Sequence, residues 1–336
     1  DKFNKNGEVW NPYDKKWHVK SGIKSDALRT WENSDYHYWL FQAPNGRIFH
    51  AGPSMQTNWI DIEGDGSFER SVLRDQDQIT GSAVMYDVGK ILVLGGSRKY
   101  SNAPATERCH VIDINGNEAV VTRTGDMSIR RQYTNAVVLP SGEVLVIGGQ
   151  PYGIAFSDEG AIFHTEIWNP ETGKWSINSN ITIPRTYHSV GVLLKDARVL
   201  TAGGGLCGGK CGDTNHYDAE IMVPPYLLDS YGNLAKRPKI TSFPYDLVPH
   251  HLIQVRLAQA HPGDIFVLIR TSAVTHSTNN DQRRIPLKEV KKEGKTYLLR
   301  LPDKNIMVPG TYFLFAVNQH GTPSVGVTVS YNPGVH

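Results

Sequence analysis

A hairpin that ends in a pair of glycines recurs along the first two-thirds of this 336-residue chain. Each copy has two short apolar runs around a turn rich in Gly, Asn or Asp, which is the pattern of an antiparallel β-hairpin. The second glycine of the last three pairs falls at Gly96, Gly149 and Gly204, roughly 50–55 residues apart. Repeated β-units of this period predict the blades of a β-propeller. The four copies run over residues 38–52, 82–96, 134–149 and 189–204.

The opening of the chain copies the outer half of a later blade. Residues 8–12 and Lys16-Trp17 repeat residues 166–170 and Lys174-Trp175, but no inner hairpin precedes the first copy. We therefore expect residues 1–234 to form four blades and one additional outer strand pair. Such an open arc leaves apolar faces and sheet edges unpaired, which is a poor soluble state. We expect the remaining blades to come from a second polypeptide, or from a piece cut from this one.

The pattern changes at about residue 235. Short alternating strands follow, separated by turns such as His261-Pro262-Gly263 and Val308-Pro309-Gly310. About 100 residues of this kind predict an immunoglobulin-like β-sandwich over residues 235–336. No segment has a convincing helical period, so the predicted fold class is all-β, with later propeller blades followed by a sandwich.

Charge and composition exclude several classes of protein. The formal net charge is +2, from 35 basic and 33 acidic residues, and no basic block indicates nucleic-acid binding. No apolar run reaches about 18 residues, so no membrane span is expected. Cys207 and Cys211 could close a small disulfide loop or form half of a metal site. Asn180 begins a glycosylation sequon, Asn-Ile-Thr, which is consistent with secretion.

A phenol and an imidazole stand side by side where a loop enters the last predicted hairpin, at Tyr187 and His188. Neighbours on a strand point to opposite faces, but at a strand entry they can converge on one ion. His276, in a loop of the second domain, offers another imidazole. Two neutral imidazoles and a phenol oxygen suit copper(II), although each of these residues taken singly is most simply a core or surface residue.

Several unusual words in this sequence resemble the galactose oxidase family of copper-radical oxidases. The resemblance runs in order through nearly all of the chain, but matches only the later part of that family's seven-bladed, kelch-type propeller. The words are Arg185-Thr186-Tyr187-His188-Ser189, residues 203–208, residues 215–219, Arg237-Pro238-Lys239-Ile240 and residues 281–287.

The resemblance implies one copper ion, with Tyr187 as axial ligand and His188 and His276 as equatorial ligands. It implies that Tyr187 takes the proton of the alcohol and that a radical tyrosine, joined to a cysteine by a thioether, lies on the early blades missing from this chain. The expected reaction is oxidation of a primary alcohol or aldehyde by O2, with release of H2O2. The resemblance also favours the disulfide between Cys207 and Cys211, which implies an oxidising compartment and a secreted protein. Together with the missing early blades, it predicts a two-chain enzyme. The alternative is a propeller that lost the radical and acts as a carbohydrate-binding or adhesion module.

The substrate pocket can be placed by the same register. Tyr100, Tyr133 and Phe156 fall where the family lines its pocket with aromatic side chains. Asn33 and Ser101 stand where the family has a galactose-binding Arg and a Gln. Because a bidentate Arg is the natural clamp for sugar hydroxyls or a carboxylate, the exchange predicts a less polar alcohol than galactose.

Five residues could be mistaken for copper ligands or for the cross-linked cysteine. Tyr133 follows an Arg-Gln pair that looks like the radical-tyrosine word, but its blade is a later one, and we expect no copper ligand there. Cys109 is expected to be a buried thiol, or bonded to the missing piece, and not the cross-linked cysteine. His37 and His50 are expected to be ordinary blade or surface residues, and His216 to form a structural hydrogen bond near the site.

Overall fold

Strands form every long element in the computed structural model, which describes residues 5–30, 37–205, 207–210 and 212–333. The predicted all-β class is confirmed. The helical segments in these ranges are short 3-10 turns at Ser25–Leu28, Gly208–Lys210, Gly212–Thr214 and Pro225–Leu227. No helix in the described part of the chain is both long and apolar enough to cross a bilayer.

The first sheet is the strand pair predicted from the internal repeat. Strands β1 (Asn6–Asn11) and β2 (Lys16–Lys24) form an antiparallel, two-stranded sheet. Trp10 lies opposite Trp17 in the register, as Trp168 lies opposite Trp175 in the later copy. In the later copy this pair is the outer half of a four-stranded blade.

Each predicted hairpin forms the inner half of a blade. Three blades have four strands, and the last has three. The first two consist of β3 (Trp39–Gln42), β4 (Ile48–Gly52), β5 (Gln56–Asp61) and β6 (Ser67–Leu73), and of β7 (Ser82–Asp87), β8 (Lys90–Leu94), β10 (Cys109–Asp113) and β11 (Val120–Arg123). The next two consist of β12 (Asn135–Val138), β13 (Val144–Ile147), β15 (His164–Asn169) and β16 (Lys174–Asn180), and of β17 (Ser189–Leu193), β18 (Val199–Gly203) and β19 (Ala219–Met222). A short pair between blades joins β9 (Ala103–Pro104) to β14 (Tyr152–Gly153).

Successive blades pack through side chains that alternate along the inner strands. In β7, Ala83 and Met85 pack in the cluster that contains Trp39 of the preceding blade. Val84 packs on the other side, in the cluster that contains Trp168 of the following blade. Both faces of the strand are therefore buried, as the two-residue period requires of a blade between two others. Each fully buried side chain of this size contributes about 1.5–3 kcal/mol, so these interfaces hold the arc together.

The second domain is one seven-stranded sheet folded around its own core. Strand β23 (Arg284–Glu293) lies in both layers, since its first residues pair with β22 (Ile265–Arg270) and its later residues, from Lys288, pair with β24 (Thr296–Arg300). A bulge between Glu289 and Lys291 interrupts the pairing with β24. This agrees with the predicted β-sandwich, while the boundary at residues 234/235 stays a prediction. The order is β20 (Ile240–Ser242), β21 (Leu252–Leu257), β24 (Thr296–Arg300), β23 (Arg284–Glu293), β22 (Ile265–Arg270), β25 (Gly310–Val317) and β26 (Val327–Tyr331).

One loop of the sandwich, residues 275–284, lies against the inner strands of the propeller. The Gln282 side chain accepts a hydrogen bond from the backbone N–H of Val138 at 2.8 Å and donates one to the carbonyl of Ala136 at 2.7 Å. Arg283 forms a bridge with Met85 of β7, and Arg284 donates to the carbonyl of Pro140 at 3.0 Å. The loop is thus fixed on two blades at the same time.

Replacement of Gln282 by Ala is expected to destabilise the protein, because it leaves a buried donor and a buried acceptor of β12 without partners. The side chain is only 3% exposed, and such unsatisfied groups cost about 1–3 kcal/mol each. Thermal unfolding followed by circular dichroism measures the loss. Gln254→Ala, on the exposed side of β21, is the matched control. Equal unfolding temperatures for the two variants would show that Gln282 does not hold this loop.

Candidate metal site

Tyr187 and His188 lie immediately before β17, and their rings face the same space. The ring centroids are 4.0 Å apart with an interplanar angle of 26°, so the two rings are stacked. This is possible because His188 has a φ of 67°, which interrupts the alternation that neighbouring strand residues otherwise follow. The two side chains therefore come together at the strand entry, while their role as ligands of one ion stays a prediction.

His276 joins them from the sandwich loop. Its ring centroid lies 4.7 Å from that of His188 and 5.7 Å from that of Tyr187. Next to it, Ser277 approaches the propeller, since Ser82 Oγ donates to the Ser277 carbonyl at 3.3 Å. Two parts of the chain nearly 90 residues apart therefore build one cluster of a phenol and two imidazoles.

The left-handed backbone of His188 recurs at the same place in the other hairpins. His37, Thr80 and Tyr133 occupy the corresponding repeat position, with φ values of 55°, 57° and 59°. Residues other than glycine seldom adopt this conformation, and such strained residues cluster at functional sites. Three of these four positions carry a ring, and the rings of His37, Tyr133 and His188 lie in the cluster around Tyr187 and His276.

His37 is the residue that sequence reasoning missed. It was expected to be an ordinary blade or surface residue, but its ring stacks on His276 with centroids 4.2 Å apart. Burial, together with the neighbouring His276 and His188, lowers the pKa of His37 to about 4. The signal that could have revealed it is the repeat register, which makes His37 the counterpart of His188.

The donor set fits a copper ion. His188 Nδ1 lies 2.7 Å from the carbonyl oxygen of Gly205, which can only accept, so Nδ1 carries the proton and Nε2 keeps its lone pair for a metal. His276 Nδ1 is engaged with Thr275 Oγ1 at 2.8 Å, which also leaves Nε2 for the metal. Burial and the nearby His188 lower the pKa of His276, which favours the neutral imidazole that binds metals.

The phenol of Tyr187 adds an oxygen donor to the two imidazoles. Within the described residues, no group of three or more His, Cys, Asp or Glu side chains is arranged to hold a metal. A metal here would therefore take two imidazoles and the phenol oxygen of Tyr187. Copper(II) favours such nitrogen and oxygen donors, whereas calcium and magnesium need several carboxylate or carbonyl oxygens.

Aromatic side chains surround Tyr187. The Phe156 ring stands almost perpendicular to that of Tyr187, at 88° and 4.9 Å, and is 40% exposed. The hydroxyl groups of Tyr100 and Tyr187 are 2.5 Å apart. Tyr133 is fully buried and donates a hydrogen bond to the carbonyl of Tyr100, and burial raises the pKa of Tyr133 to about 12. Phe156 thus forms an accessible wall beside Tyr187, while the buried Tyr133 holds Tyr100 in place through this hydrogen bond.

Ser101 and Asn33 are the two polar positions of the predicted pocket. Ser101 Oγ accepts a hydrogen bond from the backbone N–H of Ala155 at 3.0 Å, so this hydroxyl ties two loops of the pocket together. Asn33 lies outside the described residues. The substrate-binding roles of Asn33, Tyr100, Ser101, Tyr133 and Phe156 stay predictions.

The remaining singled-out residues lie mostly where they were expected. Cys109 is a buried free thiol on β10, away from the site. His50 is buried in the first full blade beside Asn58, and His216 pairs with Asp158. Cys211 lies outside the described residues, so its disulfide with Cys207 stays a prediction. Glycosylation of Asn180 also stays a prediction, and this residue is exposed at the end of β16.

Two family models match the chain on either side of the domain boundary. Residues 78–226 match the glyoxal oxidase N-terminus, and residues 237–331 match the galactose oxidase-like, early set domain. Galactose oxidase of Gibberella zeae is 38% identical over 97% of this chain and 50% of its own length. An aldehyde oxidase of Arabidopsis thaliana is 28% identical over 70% of this chain and 43% of its own length.

A solved structure agrees with these matches. A fungal alcohol oxidase of the AA5 family, in complex with copper, superposes with a TM-score of 0.93 at 35% identity. The superposition covers 97% of this chain and 70% of the solved chain. The chain therefore belongs to the galactose oxidase-like family of copper-radical oxidases. It spans about half the length of the curated relatives that it matches.

Loss of either imidazole is expected to abolish copper uptake. His188→Ala and His276→Ala each leave a single imidazole, whereas Tyr187→Phe keeps both imidazoles, which are good ligands for copper, and should retain the ion. The copper-to-protein ratio is measured by inductively coupled plasma mass spectrometry after the protein is loaded with copper and desalted. His251→Ala is the control, because His251 is exposed. Copper binding by His276→Ala equal to that of the parent would show that the ligand set is wrong.

Proposed function

We propose that this chain carries the copper-binding half of an oxidase that converts a primary alcohol or aldehyde to the aldehyde or acid. The observation that carries the proposal is the cluster of Tyr187, His188 and His276, in which hydrogen bonds at Nδ1 leave the Nε2 atoms available. The family supports oxidoreductase chemistry with copper. For an alcohol, the balanced reaction is RCH2OH + O2 → RCHO + H2O2.

The reaction removes two protons and two electrons from the alcohol. A copper(II) ion held by Tyr187, His188 and His276 would supply one oxidising equivalent and would polarise the alcohol oxygen as a Lewis acid. The second equivalent requires another one-electron oxidant. We propose that it is the radical tyrosine joined to a cysteine that the family resemblance implies, on propeller blades outside these 336 residues.

Tyr187 is the group best placed to receive the hydroxyl proton. Its side chain is only 6% exposed, and its oxygen is the phenol donor of the cluster. The contact with the Tyr100 hydroxyl at 2.5 Å fixes the position of this oxygen. A positioned base of this kind contributes about 10²–10⁴-fold to the rate.

We propose an aromatic or aliphatic alcohol as substrate in preference to galactose. Phe156 and Tyr100 present largely apolar surface beside Tyr187. The Ser101 hydroxyl already accepts a hydrogen bond from Ala155, so it is a poor substitute for a side chain that clamps a sugar. The released aldehyde and peroxide, together with the sequon at Asn180 and the predicted disulfide, support a secreted enzyme.

We further propose that a second polypeptide provides the early blades. Apolar side chains are exposed on the strand pair that has no inner hairpin among the described residues: Trp10 is 45% exposed, Trp17 63% and Val19 54%. On the last blade, Ile221 of β19 is 49% exposed. Closure of a propeller ring buries such faces and removes sheet edges, so further blades fit both ends of the arc.

The native, copper-loaded protein is expected to release H2O2 from benzyl-type alcohols faster than from galactose, because the pocket wall is aromatic. Tyr187→Phe should lower kcat by about 10²–10⁴-fold through loss of the base. Peroxide formation in a coupled assay measures both effects. A clear preference for galactose contradicts the substrate proposal, and a native protein that contains no copper contradicts the oxidase and favours the binding module.

Denaturing mass spectrometry of the native protein is expected to show a second polypeptide of roughly 150–250 residues, the size of the absent blades by the repeat period. The physical reason is that nicked or separate pieces stay packed through blade interfaces. A single species longer than 336 residues would place those blades on the same chain and overturn the two-chain arrangement. It would leave the copper proposal unaffected.

A further inference from the structure

A hydrogen bond between two side chains near the site joins two loops that each touch a predicted copper ligand. Asp158 Oδ2 and His216 Nε2 are 2.9 Å apart, and their side chains are 26% and 14% exposed. Asp158 belongs to the loop between β14 and β15, and His216 precedes β19. Neither residue contributes to the cluster of Tyr187, His188 and His276 itself.

On one side, His216 controls the partner of the His188 imidazole. The backbone N–H of His216 donates to the carbonyl of Gly204 at 3.2 Å. The His216 ring packs so closely on Gly204 that a Cβ at this glycine would lie 3.0 Å from its Cδ2. The next residue, Gly205, accepts the hydrogen bond from His188 Nδ1 at 2.7 Å.

Gly205 has little freedom to turn its carbonyl elsewhere. Its φ is 68°, and a Cβ in its place would lie 2.1 Å from the carbonyl oxygen of Thr214. Its own N–H donates to the carbonyl of Tyr187 at 2.9 Å. The segment from Thr214 to His216 therefore sets the direction of the carbonyl that orients His188.

On the other side, Asp158 lies two residues after Phe156. The Phe156 ring packs on Tyr187 at 4.9 Å and on His188 at 5.5 Å. The buried Gln150 side chain holds the same loop by donating to the carbonyls of Ser157 and Glu159, at 3.0 and 2.8 Å. Asp158 thus joins the aromatic wall of the site to the segment that orients His188.

We propose that Asp158 and His216 are a positioning pair that sets the orientation of the His188 imidazole and of the Phe156 wall. One partly exposed hydrogen bond between side chains contributes only modestly to stability. In addition, Asp158 Oδ1 is buried without a hydrogen-bond partner in the described part of the chain, which is a cost and not a gain. The pair is therefore explained by the two loops that it joins. The consequence for metal binding rests on the proposed copper function.

The experiment compares His216→Ala, Asp158→Asn and the rescuing variant His216→Gln, whose amide can still donate to Asp158. His164→Ala is the control, because His164 also pairs with a side chain, Asn180 at 2.8 Å, but on the outer strands. All variants are made in the native protein, with any further polypeptide that it carries. Copper affinity is measured by competition with a chelator, and the geometry of the bound ion by electron paramagnetic resonance.

We expect copper affinity to fall about 10–100-fold in His216→Ala, as for other groups that orient a metal-binding histidine, with a changed resonance spectrum. Asp158→Asn should move in the same direction, while His216→Gln and His164→Ala should resemble the parent. Thermal unfolding of each variant separates a local change from loss of fold. Equal affinity and spectra in His216→Ala and His164→Ala overturn the proposal.

A second measurement does not depend on copper. In metal-free protein labelled with ¹⁵N at histidine, the Nδ1–H of His188 is expected to be protected from exchange, and His216→Ala should remove this protection. Unchanged protection overturns the positioning role even if copper binds. If the parent binds no copper, the proposed function fails, and the exchange measurement alone decides whether the pair orients His188.

Discussion

The hydrogen bonds of Gln282 to the inner strand β12 are the constraint on which the site depends. His276 arrives on a loop of the sandwich, whereas Tyr187 and His188 belong to the propeller, so their approach requires that the two parts be held in register. Gln282 makes two hydrogen bonds to β12, with Val138 and Ala136, and a third within its own loop, to Asn279, in a buried position. A satisfied buried amide contributes modestly, but an unsatisfied one is costly, and this asymmetry fixes the loop against sliding along the strand.

The inner strands share a second device, the left-handed residue that precedes each of them. This conformation costs of order 1–3 kcal/mol at a residue other than glycine, and after Thr80 the following strand, β7, is buried on both faces between blades. At Thr80 the position carries no imidazole or phenol. At His37, Tyr133 and His188 the same backbone conformation carries a ring that lies in the cluster around Tyr187 and His276.

The environment of Tyr187 joins these two devices. Its ring contacts His188, Phe156, Tyr133 and Tyr100, and each of these comes from a different loop or strand entry. Aromatic pairs at such angles add about 0.5–1.5 kcal/mol each beyond the area that they bury. A metal ligand supported from several sides in this way loses little freedom when it binds, which is how a protein holds an ion with only three side-chain donors.

The sequence by itself determined the period of the blades, the strand pair at the start and the change to a sandwich. Through its resemblance to a family, it also predicted which residues lie in the cluster of Tyr187, His188 and His276. These are local properties, because alternation, turn residues and glycine pairs are set by neighbours in the chain. The tertiary structure alone decided that His37 stacks on His276, that Tyr133 lies beneath Tyr100 and that Asp158 reaches His216. Those contacts join residues from separate blades or domains, and their geometry depends on how the blades pack around the channel, which no local pattern in the chain specifies.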